Sequence, residues 1–279
     1  MAKTDKDIIG TRMKEFYENI SKTKLLRRMP VAIRIDGRAF HTFTKGLEKP
    51  FDNILVKSMQ ETMKYLCENI QGCVFGYTQS DEITLILIDY QTLTTSAWFD
   101  YEVQKICSIS ASMATKAFNK IFNRYAEQYV TFNRYTEQFI AEEELPEQRN
   151  ITNEGRRYEK ALLNCMKTGA EFDARCFNIP KEEVTNLIFW RQNDASKNSI
   201  QMVGRAYFSH IKLKDKNLSE IQDMLHDQYN INWNDYPIYL KRGSACIKNE
   251  NGWIIDGRMP ILKGDDRNYV DKLIYIEED

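Results

Sequence analysis

Histidine is scarce in this sequence, with three among 279 residues. The six cysteines (Cys67, Cys73, Cys107, Cys165, Cys176 and Cys246) never fall into a Cys-x-x-Cys pair. Together these absences argue against a zinc centre, which needs clustered nitrogen and sulfur ligands. A surplus of either charge is missing too. Lys and Arg total 39 against 40 Asp and Glu, a net charge of −1, so a polyanion would have to be met by local clusters and not by a global field. No apolar run is long enough to cross a bilayer. The opening "MAKTDKDIIGTRMKEFYENI" is charged and helix-like and has no apolar core of a signal peptide. Scattered cysteines without an export signal point to reduced thiols and a cytoplasmic location.

What is there is a globular composition, 42% hydrophobic, in a chain long enough for one large domain or two modest ones. Ile8, Ile9, Met13, Phe16, Tyr17 and Ile20 recur at helical spacing within residues 4–28. "VAIRID" is a compact strand ending at Asp36-Gly37. Residues 52–70 predict a helix with Asp52 as its N-cap. "CVFGYTQ" and "EITLILID" predict two strands joined by a tight turn holding Ser80-Asp81, followed by a long helix over roughly 97–140. Within it "FNRYAEQYV" (122–130) and "FNRYTEQFI" (132–140) repeat at an offset of ten, close to three helical turns, which suggests an assembly surface or plain core packing. The acidic "AEEELPEQ" and the following "RNITNEGRRYEK" suggest a surface excursion. "FDARCFNI" (172–179) is a strand, the stretch from Lys181 is mostly helix, and a hairpin closes around an Asn-Glu-Asn-Gly turn near 249–252. The order strand, helix, hairpin, helix, strand predicts an α+β fold with a ferredoxin-type split βαβ core, an antiparallel sheet and packed helices.

Two strands deliver acids at their ends, Asp36 after "VAIRI" and Asp81-Glu82 in the hairpin. A split βαβ sheet sets the first strand beside that hairpin, bringing Asp36 near Asp81. Two close carboxylates repel unless a proton or a cation lies between them. Hard oxygen ligands without His or Cys favour Mg²⁺. Neighbouring strand residues face opposite sides, so Asp81 is the expected ligand and Glu82 takes a lesser role. Gly37 allows close backbone approach, and its carbonyl is a further candidate ligand. An Asp-Gly turn and a hairpin with solvated acids are the ordinary readings of these segments, and residue patterns alone leave the two accounts level.

"RIDGRAFHTFTKGLEKPFD" (34–52) and "GYTQSDEITLIL" (76–87) resemble the two signature segments of the tRNA-histidine guanylyltransferase superfamily. "FDARCFNIP" and "LIFWRQNDASKNSI" are similar to its later motifs, and the likeness spans about residues 5–250. The resemblance implies a polymerase-palm-like catalytic domain over residues 1–279, with the core at about 30–190 and a helical and hairpin extension at about 190–279. It implies a nucleotidyltransferase that activates a 5′-monophosphorylated tRNA end with ATP or GTP and then adds nucleotides in the 3′-5′ direction. By the same resemblance Asp36, Asp81 and Glu82 are catalytic, and Asp36, Asp81 and the Gly37 carbonyl hold two Mg²⁺ ions. Arg34, Arg38, Ala39, Phe40, His41, Lys49, Ser80 and Lys105 surround the triphosphate. Arg27, Arg175, Lys197 and Asn198 are candidate tRNA contacts, and tRNA and nucleoside triphosphates are the implied partners of a homotetramer.

Where eukaryotic members carry a His-Ile-Asn-Asn segment, this chain has Ser196-Lys197-Asn198-Ser199. The pattern is more similar to the Thg1-like branch, which repairs 5′-truncated tRNAs by copying the opposite strand. The alternatives are guanosine addition to histidine tRNA, a nucleotide cyclase on the same palm, and a non-catalytic RNA-binding protein. RNA contacts are expected from four clusters: Lys22, Lys24, Arg27 and Arg28; Arg156, Arg157 and Lys160; Lys212, Lys214 and Lys216; Lys241 and Arg242.

Overall fold

The β-branched run from Val31 has both sides covered, so it forms the buried strand β1 (Val31–Gly37) at the centre of the molecule. This is a computed structural model, and it describes residues 5–142 and 149–276. Helix α1 (Asp5–Met13) precedes β1, and α2 (Phe40–Phe43) and α3 (Asn53–Asn69) follow it. The Asp52 carboxylate accepts from Leu55 N at 2.8 Å, the N-cap the sequence suggested. Strands β2 (Cys73–Gln79) and β3 (Glu82–Leu87) form the hairpin. Helices α4 (Val103–Glu142) and α5 (Arg149–Thr168) lead to β4 (Phe172–Asn178). Beyond it come α6 (Lys181–Tyr207), α7 (His210–Leu213), α8 (Leu218–Tyr229) and α9 (Ile238–Arg242), then β5 (Ser244–Asn249), β6 (Gly252–Asp256) and α10 (Asn268–Ile274).

The six strands lie in the order β4-β1-β3-β2-β5-β6, every pair antiparallel. The first four reproduce the split βαβ arrangement, and β5–β6 extend the sheet beyond β2. Alternation along the strands divides the core. Ile33, Ile35, Ile83 and Leu85 pack against α3, α4 and α5, whereas Ala32, Phe75, Tyr77 and Ile86 pack against α6 and α10.

Several expectations need correction. The long helix starts at Val103 and not near 97, because Phe99, Asp100 and Tyr101 take left-handed φ angles that no helix accommodates. The expected surface excursion after residue 140 includes α5, which buries Tyr158, Ala161, Leu162 and Cys165 against the core. Residues 143–148 lie outside the described residues. The first "FNRY" copy is core, with Phe122, Ala126 and Val130 buried, whereas Phe132 and Tyr135 of the second are exposed. The N-terminal α-helix covers Asp5–Met13, with a π segment and a 3₁₀ turn continuing to Ser21, short of the expected 4–28, and Ile8, Ile9, Met13, Phe16, Tyr17 and Ile20 are all exposed.

Phe40 leads into an aromatic cluster with Phe43, Phe118, Phe122 and Phe172, ring centroids 5.2 to 5.8 Å apart. Gly37 is required by it: a Cβ there would meet the Phe40 ring at 2.3 Å. Gly37→Ala is therefore expected to cost about 1–3 kcal/mol as Phe40 is pushed off its neighbours, read as a lowered denaturant midpoint with unchanged slope.

Candidate active site

The antiparallel register sets Asp36 of β1 opposite Glu82 of β3 and, on its other side, opposite Asp173 of β4. The hairpin turn carries Ser80 at a left-handed φ of 51°. Next to it, the Asp81 carbonyl accepts from Gly37 N at 3.1 Å. Asp81 is thus fixed to the end of β1 by backbone, with its carboxylate taking a 2.9 Å bond from the Ser80 hydroxyl. Burial, then Asp81, Glu82 and Asp173, push the Asp36 carboxyl above its ordinary range, against the pull of Arg175. Burial likewise raises Asp81, with the Ser80 hydroxyl opposing it. Arg175 is 3.8 Å from Asp36 and half exposed, a weak counter-ion.

Both groups favour the protonated form on folding, so the stability they contribute is present at acid pH. It is lost as pH climbs through their raised values. Asp36→Asn should accordingly melt above the native, ligand-free protein at neutral pH. The gap should close as pH falls below the carboxylate range, measured by calorimetry across a pH series.

Glu82 has a different environment. Its side chain is 6% exposed, and both oxygens are taken by guanidinium groups. Arg34 Nη2 reaches Oε2 at 2.6 Å, and Arg191 of α6 binds both oxygens at 2.7 and 2.9 Å. Arg191 also holds Asp194 at 2.9 Å, and Asp194 accepts from Asn198. Glu82 therefore anchors a buried ion cluster with both of its oxygens engaged, and Arg34 gives its charge to Glu82.

The remaining expected residues are scattered. Arg38 is exposed and paired with Glu171 at 2.6 Å. Ala39 takes a left-handed φ of 53° that starts α2, and Phe40 is core. His41 is exposed beside the Thr42 hydroxyl, and Lys49 is exposed on the loop into Asp52. Lys105 is not brought to the acids. It lies about 15 Å along α4 before Thr115, whose hydroxyl meets Phe172 N beside Gly37, and its ammonium sits 5.8 Å from the Phe99 ring. Asn198 and Ser80 share a cavity lined also by Phe51, Asp52, Gln79 and Met202.

Among the basic clusters, Lys24 and Arg27 both bind Asp100. Arg28 donates to the carbonyls of Asp89, Thr92 and Leu93, and buried Lys241 donates to the Asn234 carbonyl. Much of that charge holds loops together. Arg191, Trp190 and Asp173 went unnoticed in the sequence. The available signal was that "FWRQ" and "FDARC" place charged or aromatic residues within runs that bury against a sheet.

The described residues contain no cluster of three His, Cys, Asp or Glu groups suited to a metal. Two carboxylates and a backbone oxygen are the donors present. No described helix is long and apolar enough to cross a membrane.

A family model described as "Thg1: tRNAHis guanylyltransferase" matches residues 10–180. The chain belongs to this family of nucleotidyltransferases. A solved bacterial tRNA(His) guanylyltransferase (Thg1)-like protein in complex with ATP is 42% identical, covers 96% of this chain and 100% of its own, and superimposes with a TM-score of 0.78. A second such structure, in complex with GTP, is 39% identical with a TM-score of 0.72 and covers 97% of this chain and 100% of its own. Among curated family members, the probable tRNA(His) guanylyltransferase of Dictyostelium discoideum is 25% identical over 237 residues, 80% of this chain and 77% of that protein. The family likeness and the antiparallel palm-like sheet agree on fold and enzyme class.

Proposed function

We propose that this chain is a Thg1-like enzyme that adds nucleotides in the 3′-5′ direction to tRNA 5′ ends, rebuilding truncated ends against the opposite strand. The observation that carries the reading is the pair Asp36 and Asp81. They are fixed at adjacent strand ends and pushed towards neutrality by burial and by neighbouring carboxylates, with Arg175 facing Asp36. A cation relieves such an arrangement, and two hard carboxylates suit Mg²⁺ with triphosphate oxygens completing its shell. Asp36, Asp81 and the Gly37 carbonyl would hold it. When bound, such ions stabilise the attacking and leaving oxygens of a phosphoryl displacement.

Around that centre the chain's own residues bind and orient. The cavity edged by Ser80, Asp52 and Asn198 suits the nucleoside of a triphosphate resting on the acids. Lys49, Arg38 and His41 are exposed on the connection leaving β1 and supply donors for phosphates. The ATP and GTP bound by similar structures support nucleotide substrates here. The Ser196-Lys197-Asn198-Ser199 segment favours templated repair over strict guanosine addition to histidine tRNA. We take the chain as one catalytic unit, since β5 and β6 complete the palm's own sheet, acting as a homotetramer in the cytoplasm.

The deciding experiment supplies 5′-truncated, monophosphorylated tRNAs of several identities with Mg²⁺ and each triphosphate in turn. Addition that follows the opposing base is expected. Guanosine transfer confined to histidine tRNA would move the reading to the guanylyltransferase, and cyclic nucleotide formed without RNA would overturn it.

A further inference from the structure

We infer that Trp190 is a stacking platform for a nucleobase of the RNA strand entering the acid pair, an assignment that rests on the RNA-directed function proposed above. Trp190 is 53% exposed on α6, and among the described residues its indole N–H has no hydrogen-bond partner. Two guanidinium groups lie against the ring, Arg191 at 4.5 Å and Arg34 at 5.4 Å from its centroid. Both are held by Glu82, so the ring rests on a rigid, desolvated base instead of on mobile side chains. A large aromatic left half open over a fixed support has most of its ordering cost settled before a base arrives.

The surroundings fit a nucleic-acid strand. Arg34, against which the ring packs, is two residues before Asp36 on β1 and shares its face, about 7 Å of strand length away. Arg175, register partner of Arg34, lies on the outer strand β4 and is exposed. Lys197, also exposed, follows Trp190 by seven residues, two turns along the same face of α6. An exposed aromatic ring together with exposed cations is the combination that holds single strands, bases stacking while cations track phosphates.

A competing role for the ring is to keep water off the Glu82 cluster, and the test separates the two. Binding of a 5′-truncated, monophosphorylated tRNA is measured by fluorescence anisotropy over a salt series for native protein, Trp190→Ala, Trp190→Phe and Lys197→Ala. Melting temperature and ATP affinity are measured alongside. Stacking predicts that Trp190→Ala weakens tRNA binding roughly tenfold or more, with unchanged salt slope, melting temperature and ATP affinity, and that Trp190→Phe restores most of it. Lys197→Ala should instead lower the salt slope by about one ion. Native-like tRNA binding by Trp190→Ala overturns the inference. So does a loss in which melting temperature and ATP affinity fall together with RNA binding, because that is the signature of a water shield. Native protein that adds nucleotides to no tRNA would sink the functional reading itself, a result distinct from either.

Discussion

Asp36→Asn and Asp81→Asn are each expected to lower nucleotide addition by about a thousandfold, with tRNA binding close to native. Neither acid has a guanidinium within hydrogen-bonding distance among the described residues. Asp36 has Arg175 at 3.8 Å and half exposed, whereas Glu82 is chelated by Arg191 at 2.7 and 2.9 Å. An amide at either place removes the charge that a divalent cation needs and preserves the shape. Single-turnover assays with saturating Mg²⁺ and triphosphate measure it, and near-native turnover in either variant would show that the metal is held elsewhere. The substitutions should also abolish any rise in melting temperature produced by Mg²⁺ with triphosphate, a readout independent of turnover.

Arg191→Met carries the second large effect, this time on stability. Removing that guanidinium leaves the 6%-exposed Glu82 carboxylate with Arg34 alone, and breaking a buried pair costs about 3 kcal/mol. Urea unfolding should report a loss of that size with an unchanged slope. Combining Arg191→Met with Glu82→Gln should recover much of it, since the stranded charge is then gone. A double variant no better than the single would mean that Arg191 matters through packing and not through Glu82.

The strand order was legible because its signals are local and strong: β-branched runs, a two-residue turn, and an N-cap at Asp52. The adjacency of Asp36 and the hairpin followed from topology alone. Side-chain partnership was harder to see. Glu82 sits beside Asp81 in sequence and looks like half of an acid pair, yet its partner is Arg191, more than a hundred residues on and brought across the sheet by α6. No short-range pattern encodes that contact. Helix α5 was overlooked although Tyr158, Ala161, Leu162 and Cys165 follow helical spacing, because the Arg, Asn and Lys between them dominate the composition. The expectation for Lys105 came from the family resemblance, and only the direction in which α4 runs shows that the helix begins beside Cys176, at the far end of the sheet from the acids.

The acid pair spans forty-five positions of chain but is joined in space by the β1–β3 ladder, which ends in the bond from Gly37 N to the Asp81 carbonyl. Its geometry therefore depends on the alignment of two short segments and hardly at all on the length of the exposed connections beyond them. Residues added in the exposed stretch Gln91–Thr94 after β3 should be absorbed with little harm to the chemistry. One residue inserted inside Val31–Asp36 would rotate that carboxylate to the opposite side of the sheet, among the phenylalanines. Tolerance to insertion along this polypeptide should thus change abruptly at the boundary of β1, a map that a scan of single-residue insertions would draw directly.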